Sequence, residues 1–267
     1  MLGANLKRSG WAIILLALNT SGSVFGSNYQ QGELVLGQVE PGTQVWLDDV
    51  QVQVSPTGLY AFGLGRNASP NVILKTRLIN KETTQVSLVV KKRLYSEQKI
   101  DFLPSKKVTP KTDASQRIRQ ENQQIGEVRQ SRIQADWLGQ NWINPVAGRI
   151  SGVFGSRRIL NGVPKNPHNG VDIAAAKGTN IVAPLTGRVA LVHEQMFYTG
   201  KTIMLDHGLG VTSVYAHLNS IEVSLGQVVE QGQVMGQVGQ TGRATGPHLH
   251  WGVTWQKTHV DPLLLVQ

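Results

Sequence analysis

Histidine and aspartate recur in three short segments of the C-terminal half of the chain, at spacings that suit metal chemistry. The segments are HNGVD at 168–172, YAHL at 215–218 and GPHLHWG at 246–252. Alternate side chains of a strand point to the same face, so His248 and His250 would project together with Cα atoms about 6.5 Å apart. If residues 169–171 are extended, His168 and Asp172 lie on one face and could bind the same ion. A catalytic zinc ion takes three protein ligands and keeps one position open, which His168, Asp172 and His250 could satisfy.

The other histidines fit no such set. Any single histidine or aspartate is more often a surface or hydrogen-bonded structural residue, and only the combination above argues for chemistry. His193 is followed by a glutamate as in the helical HExxH zinc motif, but Phe197 stands where that motif needs its second histidine. We therefore expect structural roles for His193, His207 and His259. The tryptophans that alternate with the HLH residues, Trp251 and Trp255, are expected to face the core.

Taken in order, the three segments resemble the motif set of the lysostaphin/LytM-type zinc endopeptidases. The resemblance covers residues 148–256, including the glycine-rich run that ends in GPHLHWG. It implies that one zinc ion is bound by His168, Asp172 and His250. It also implies that His217 and His248 act on the attacking water and on the developing oxyanion.

The resemblance further implies the activity of a zinc-dependent endopeptidase that hydrolyses peptide cross-links or bridges of bacterial peptidoglycan. Zinc and a neighbouring imidazole suit this reaction, because the metal polarises a carbonyl and histidine exchanges protons near neutral pH. The alternative is a latent or non-catalytic binding module that regulates other cell-wall hydrolases. Some proteins that resemble the family have lost metal ligands, whereas this chain retains all the expected ligands and both auxiliary histidines, which favours an enzyme.

Two further functions are disfavoured by the sequence. The run GQVVEQGQVMGQVG resembles the glycine-turn strands of lipoyl and biotinyl carrier domains, which need a modifiable lysine at a hairpin tip. The nearest candidates, Lys177, Lys201 and Lys257, lie outside this run. A serine hydrolase is disfavoured because the chain contains no GxSxG sequence.

The elements that must position these residues are predicted to be mainly β, because 29 glycines and 11 prolines favour many turns. Apolar residues alternate with period two between residues 30 and 103, which predicts a small antiparallel β-sandwich without histidine. Residues 148–267 hold all seven histidines. The glycine-interrupted apolar runs in this region predict an antiparallel β domain. The resemblance implies that it is a LytM-like zinc metallopeptidase domain.

Residues 104–147 are predicted to be a basic, helical linker. Their apolar residues form a narrow stripe, as in an amphipathic helix: Ile118, Ile125, Val128 and Ile133. One interpretation is a simple connecting helix. The other is a lid or inhibitory arm that folds over the second domain.

Residues 1–26 have the three-part form of a secretory signal peptide. Lys7 and Arg8 are followed by the apolar run 11–18, which is too short to span a bilayer as a helix of about 20 residues. The alternative is an uncleaved N-terminal anchor. We expect an exported protein, either periplasmic or secreted, with no stable membrane span after cleavage.

The formal net charge is +9, and removing the signal peptide, with its two cations and no acid, lowers it to +7. A basic exported protein suits an anionic cell wall as its partner and argues against nucleic acid. Peptidoglycan is the expected partner, with other cell-wall enzymes as further candidates. The chain has no cysteine, which excludes disulfides, a lipid-modified cysteine and a cysteine nucleophile.

Overall fold

The computed structural model describes residues 14–15, 29–110 and 112–266, and it is built mainly from β-strands. This confirms the mainly β class expected from the turn-rich sequence. The predicted signal peptide, residues 1–26, lies outside the described residues except for Ile14–Leu15. Among the described helices, none combines the length and the apolar character that crossing a bilayer would require.

Two sheets occupy the region predicted as a β-sandwich. Its strands are β1 (Ile14–Leu15), β2 (Tyr29–Gln30), β3 (Leu34–Gln38), β4 (Gln44–Leu47), β5 (Val50–Val52), β6 (Leu59–Gly63), β7 (Asn71–Arg77), β8 (Thr84–Lys91) and β9 (Glu97–Ile100). One sheet has the order β2-β8-β7-β4-β5 and the other β1-β3-β6. Side chains from both sheets belong to one buried core, including Val45 and Leu74 from the first and Leu36 and Phe62 from the second.

The N-terminal sheets are not purely antiparallel, which corrects the sequence prediction. The pairs β2/β8 and β1/β3 run parallel, while the remaining pairs in these two sheets are antiparallel. The strands of each parallel pair are not consecutive in the chain, so no tight hairpin forces them to run in opposite directions.

The predicted linker contains two helices, α1 (Ser105–Val108) and α2 (Thr112–Val128), and a short 3-10 helix (Trp137–Gly139). On α2, the apolar stripe packs Ile125 and Val128 against Leu191, Met196 and Met204 of the following domain. The predicted amphipathic helix is therefore present over Thr112–Val128, with Ile125 and Val128 docked, whereas Ile133 of the predicted stripe lies beyond the end of the helix.

Most C-terminal strands join one sheet. The strands are β10 (Arg149–Gly152), β11 (Arg157–Leu160), β12 (Val163–Lys165), β13 (Val171–Ala174), β14 (Asn180–Val182), β15 (Gly187–Met196), β16 (Gly200–Asp206), β17 (Val211–Ile221), β18 (Val228–Val229), β19 (Val234–Val238), β20 (His248–Trp255) and β21 (Thr258–Val260). The main order is β10-β13-β20-β17-β16-β15-β18, and its pairs are antiparallel. A short 3-10 helix, Pro262–Leu264, follows. The three motif segments therefore lie on or beside the adjacent strands β13, β20 and β17.

The N-terminal and C-terminal strands pack directly on each other. β9 pairs in parallel with β11, which also pairs with β12, so a strand from within residues 30–103 completes a small sheet of the C-terminal region. Arg93 and Asp261 form a salt bridge of 2.8 Å, and one buried core continues from the N-terminal sheets to Trp255 and Val260. The predicted domain boundaries near residues 103 and 147 remain a prediction. The buried core and the β9/β11 pairing both extend across them.

Candidate metal centre and active site

His168, Asp172 and His250 bring three donor atoms together. His250 Nδ1 lies 2.8 Å from Asp172 Oδ1, His168 Nε2 lies 3.0 Å from His250 Nδ1, and His168 Nε2 lies 3.1 Å from Asp172 Oδ1. Around a tetrahedral zinc ion with ligands at about 2.0–2.1 Å, ligand atoms are separated by roughly 3.3 Å. The three side chains are largely buried. Their spacing and donor chemistry therefore fit a zinc ion.

Adjacent strands determine this convergence. Across the β13/β20 pair, Asp172 stands opposite His250 and Ala174 stands opposite His248. Across the β17/β20 pair, Ala216 also stands opposite His250. Residues directly opposite each other in an antiparallel pair project to the same face. His248 and His250 of β20 therefore lie on the same face of the sheet as Asp172 of β13.

Glycine is required at two positions around this cluster. A Cβ atom on Gly170 would collide with the Trp251 carbonyl oxygen and lie 2.9 Å from the His250 ring. A Cβ atom on Gly152 would lie 2.5 Å from Asp172 Oδ2. Because any side chain would displace the neighbouring backbone or the carboxylate, the glycine of HNGVD has a packing role.

His168 approaches the cluster from outside the strand. The sequence suggests that residues 169–171 are extended, but β13 begins only at Val171. His168 therefore reaches Asp172 from a loop and not from the same strand. His168 Nδ1 donates to the Val153 carbonyl at 3.1 Å, which leaves Nε2 with the lone pair that a metal needs. Burial lowers the pKa of His168 to about 4, and the neutral ring is the ligand form.

Asp172 is held in its anionic form. Burial acts to raise its pKa, but hydrogen bonding and charge from His168 and His250 outweigh it and hold the pKa well below its usual range. Its second oxygen, Oδ2, accepts from Arg158 Nη2 at 2.5 Å. Arg158 also donates from Nε to Gln98 Oε1 at 3.3 Å. Oδ1 thus faces the two histidines while Oδ2 is fixed by a cation.

His217 and His248 lie beside the three ligand candidates. The Nδ1 atoms of both rings donate to backbone carbonyls at 2.8 Å, His217 to Thr241 and His248 to Gly246. Each Nε2 is therefore left as the proton-accepting atom. The ring centroids are 4.7 Å apart, and His248 Nε2 lies 3.9 Å from Asp172 Oδ1.

An irregularity in β17 brings His217 to this face. Ala216 stands opposite His250, so simple alternation would send His217 to the other face with Tyr215. Instead the β16/β17 register shifts here, and His217 takes a φ of 66°. Such a conformation is strained for a residue with a side chain and is concentrated at functional sites. The result is a His217 ring packed near His248.

These residues open into a cleft whose lining includes Asp172 and both auxiliary histidines. One side is formed by Gln98, Ile100 and Leu103, and another by residues 243–245. Within the described part of 104–147, no residue lines the cleft. The interpretation of residues 104–147 as a lid therefore stays a prediction, and Gln98, Ile100 and Leu103 border the cleft from the segment just before it.

The cleft also contains two arginines that sequence reasoning missed, Arg158 and Arg243. Arg158 belongs to a dibasic pair upstream of HNGVD, and Arg243 lies a few residues before GPHLHWG. Neither arginine is part of a sequence motif that would indicate a role at the site. Their importance becomes visible only when the strands are assembled.

The histidines expected to be structural lie outside the cluster. His207 is buried and uses both ring nitrogens, donating from Nδ1 to the Thr186 carbonyl and accepting at Nε2 from Ser213 Oγ, each at 2.8 Å. His193 Nδ1 accepts from a nearby backbone amide. Burial lowers the pKa of His259 to about 3. Trp251 and Trp255 are buried, as predicted.

Comparison with known proteins relates the segment that carries these residues to one peptidase family. Residues 166–262 match the family model Peptidase family M23. Over this segment, called the M23 domain below, the chain is similar to the peptidases of that family. The segment contains all five residues of the histidine and aspartate cluster.

Relatives of the M23 domain include metalloproteases and a peptidoglycan endopeptidase. The chain is 36% identical over 135 residues to an uncharacterised metalloprotease of Haemophilus influenzae, a match covering 51% of this chain and 25% of that protein. It is 42% identical over 105 residues to peptidoglycan DD-endopeptidase ShyA of Vibrio cholerae, covering 39% and 24%. The chain thus spans about a quarter of the length of these curated relatives.

A solved structure shares more than the M23 domain. The crystal structure of a candidate M23 peptidase from Pseudomonas aeruginosa aligns with 90% of this chain and 96% of its own, with a TM-score of 0.71 and 28% sequence identity. The N-terminal sheets and the M23 domain therefore recur together in a second protein.

Proposed function

We propose that the chain is a zinc-dependent endopeptidase that hydrolyses peptide cross-links or bridges of bacterial peptidoglycan. The observation that carries this proposal is the convergence of His168, Asp172 and His250, with His217 and His248 beside them. The relative named a peptidoglycan DD-endopeptidase supports the substrate class. The net positive charge also suits an anionic wall.

His168 Nε2, His250 Nδ1 and Asp172 Oδ1 are the proposed zinc ligands. Bound there, zinc would polarise the scissile carbonyl and lower the pKa of a water molecule. The chain's own contribution is to keep the His168 ring neutral by burial, to present the Asp172 carboxylate as an anion and to hold Asp172 Oδ2 on Arg158. This fixed orientation leaves Oδ1 aimed at the two histidines.

His217 and His248 are the proposed proton carriers. Each ring has its Nδ1 committed to a backbone carbonyl, so a proton from attacking water is accepted at Nε2. A ring protonated in this way donates a hydrogen bond to the developing oxyanion and then delivers the proton to the leaving amine. General acid–base steps of this kind contribute about 10²- to 10⁴-fold to a rate.

We also propose that the protein is exported and acts in the periplasm. The three-part pattern of residues 1–26 supports this, as does the peptidoglycan endopeptidase among its relatives. Direct cross-links between D-alanine and a diamino acid are the proposed bonds, with glycine-rich bridges as the alternative.

A second candidate function is a latent enzyme or a regulator of other cell-wall hydrolases. Two observations favour it: Gln98, Ile100 and Leu103 border the cleft, and Arg158 pairs with Asp172. A segment in this position narrows access for an extended peptide. In this alternative the ligand set would bind zinc without turnover until the segment moves.

The test is mass spectrometry of peptidoglycan fragments after incubation with the zinc-loaded chain. The zinc-free chain and the zinc-loaded His217→Ala variant serve as controls. We expect new peptide termini with the zinc-loaded wild type alone, and their masses identify the bond. No cleavage despite one tightly bound zinc would reject the constitutive hydrolase and favour the latent or regulatory protein.

A further inference from the structure

Arg243 lies between β19 and β20, and it lines the cleft together with His217 and His248. Its Nη1 donates to the Lys107 carbonyl at 3.3 Å, and its Cζ lies 4.5 Å from the centre of the Tyr198 ring. In the part of the chain that the structure describes, no acidic side chain pairs with this guanidinium. The cleft thus contains a partly buried cation whose charge is not balanced.

The acid and the second cation of the cleft are already paired with each other. Asp172 is the acidic residue among the described lining residues, and its Oδ2 accepts from Arg158 at 2.5 Å. Burial lowers the pKa of Arg243, Tyr198 opposes this effect, and the charge of Arg158 lowers the pKa further. A buried charge needs a partner, so Arg243 is the cation among the described lining residues that is available to pair with an anion entering the cleft.

We propose that Arg243 is a specificity-determining residue that binds a free carboxylate of the peptide substrate close to the scissile bond. This inference rests on the proposed endopeptidase function and narrows its substrate class. A guanidinium forms charge-assisted and often bidentate hydrogen bonds with a carboxylate.

The rest of the cleft fits the same kind of substrate. Ile100, Leu103 and Leu160 are apolar residues that line the same cleft and pack together. Small apolar side chains such as the methyl group of alanine could pack there, while a carboxylate lies against Arg243. The predicted substrate class is therefore a short peptide that combines small apolar residues with a free carboxylate.

The test uses two cross-linked peptide dimers that differ only in having free carboxylates or primary amides at the diamino acid. We expect the wild type to prefer the carboxylate dimer. Arg243→Gln should lower kcat/KM for that dimer by about 10- to 100-fold, the worth of one charged hydrogen bond, while changing the amide dimer little. Arg243→Lys, which retains the charge without the planar fork, should give an intermediate preference.

A control variant separates recognition from a loss of net charge or of structure. Arg119 is exposed on α2 and does not line the cleft, so Arg119→Gln should leave the ratio of the two kcat/KM values unchanged. If Arg243→Gln lowers both values by the same factor, the residue supports the loop and its assignment to substrate recognition is wrong.

Binding to the zinc-free chain distinguishes this inference from the proposed function. Calorimetry with both uncleaved dimers, on the wild type and on Arg243→Gln, measures the carboxylate preference without turnover. A preference that depends on Arg243 but comes without hydrolysis in zinc would keep the carboxylate site and reject the hydrolase. Hydrolysis of both dimers at equal kcat/KM by the wild type would reject the carboxylate site alone.

Discussion

His207, which directly follows β16, and His217 on the neighbouring strand β17 are both buried and are hydrogen-bonded in the same way at Nδ1. Each donates from Nδ1 to a backbone carbonyl at 2.8 Å, His207 to Thr186 and His217 to Thr241. Burial lowers both pKa values, to about 4 for His207 and about 3 for His217.

The two regions differ at the other ring nitrogen. His207 Nε2 accepts from Ser213, whereas His217 Nε2 has no hydrogen-bond partner among the described residues and its ring borders the cleft. Burial therefore gives a neutral imidazole in both places. In the proposed mechanism, what makes His217 available for chemistry is its unpaired Nε2 beside the proposed metal ligands.

The largest effect is expected from removing that ligand set. Asp172→Ala should abolish stoichiometric zinc binding and reduce peptide hydrolysis to background, because one ligand is lost and Arg158 is left without its carboxylate. Zinc content by elemental analysis and cleavage by mass spectrometry check this. Asp49→Ala, at an exposed acid of the N-terminal region, is the matched control. Full zinc content in Asp172→Ala would contradict the assigned ligand.

The next effect concerns the unpaired nitrogen itself. His217→Ala should lower kcat by about 10²- to 10⁴-fold, the usual contribution of a general acid–base group, while zinc content stays at the wild-type value. Steady-state kinetics with a defined cross-linked peptide measures this. Near-normal kcat would exclude His217 as a proton carrier and remove the contrast with His207.

A smaller effect, on stability, is expected from replacing the structural histidine His207. His207→Ala should lower the free energy of unfolding by about 1–3 kcal/mol, because the buried hydrogen bonds with Thr186 and Ser213 are lost. Urea unfolding measures the loss. At temperatures where the variant is folded, kcat should remain close to that of the wild type, and a large fall in kcat without loss of stability would reverse the two roles.

The smallest effect is a change in pH dependence. The unfolded histidine titrates near pH 6.5 and folded His207 near 4, so the unfolded state takes up the proton first as pH falls. His207 therefore contributes full stability above about pH 6.5 and loses it progressively towards pH 4. In zinc-free protein, the free energy of unfolding should fall less steeply between about pH 6.5 and 4 for His207→Ala than for the wild type. The two slopes should differ by at most about 1.4 kcal/mol per pH unit. Identical slopes in urea titrations would contradict this.

Much of the candidate site could be predicted because its signals are local. The HLH spacing puts His248 and His250 on one strand face through the period of two, and this holds in β20. The apolar stripe of α2 was equally readable, since a helix places residues three and four apart on one side. The pairing of β9 with β11 was not readable, because no local pattern encodes contact between residues 97–100 and 157–160.

The sequence by itself determined which side chains could bind a metal. Only the tertiary structure decided where His217 points. Alternation along β17 would place it on the face opposite His250, and a register shift with a φ of 66° reverses that. The physical reason is that backbone strain at one residue is maintained by packing from neighbouring strands, so it is a property of the assembled sheet.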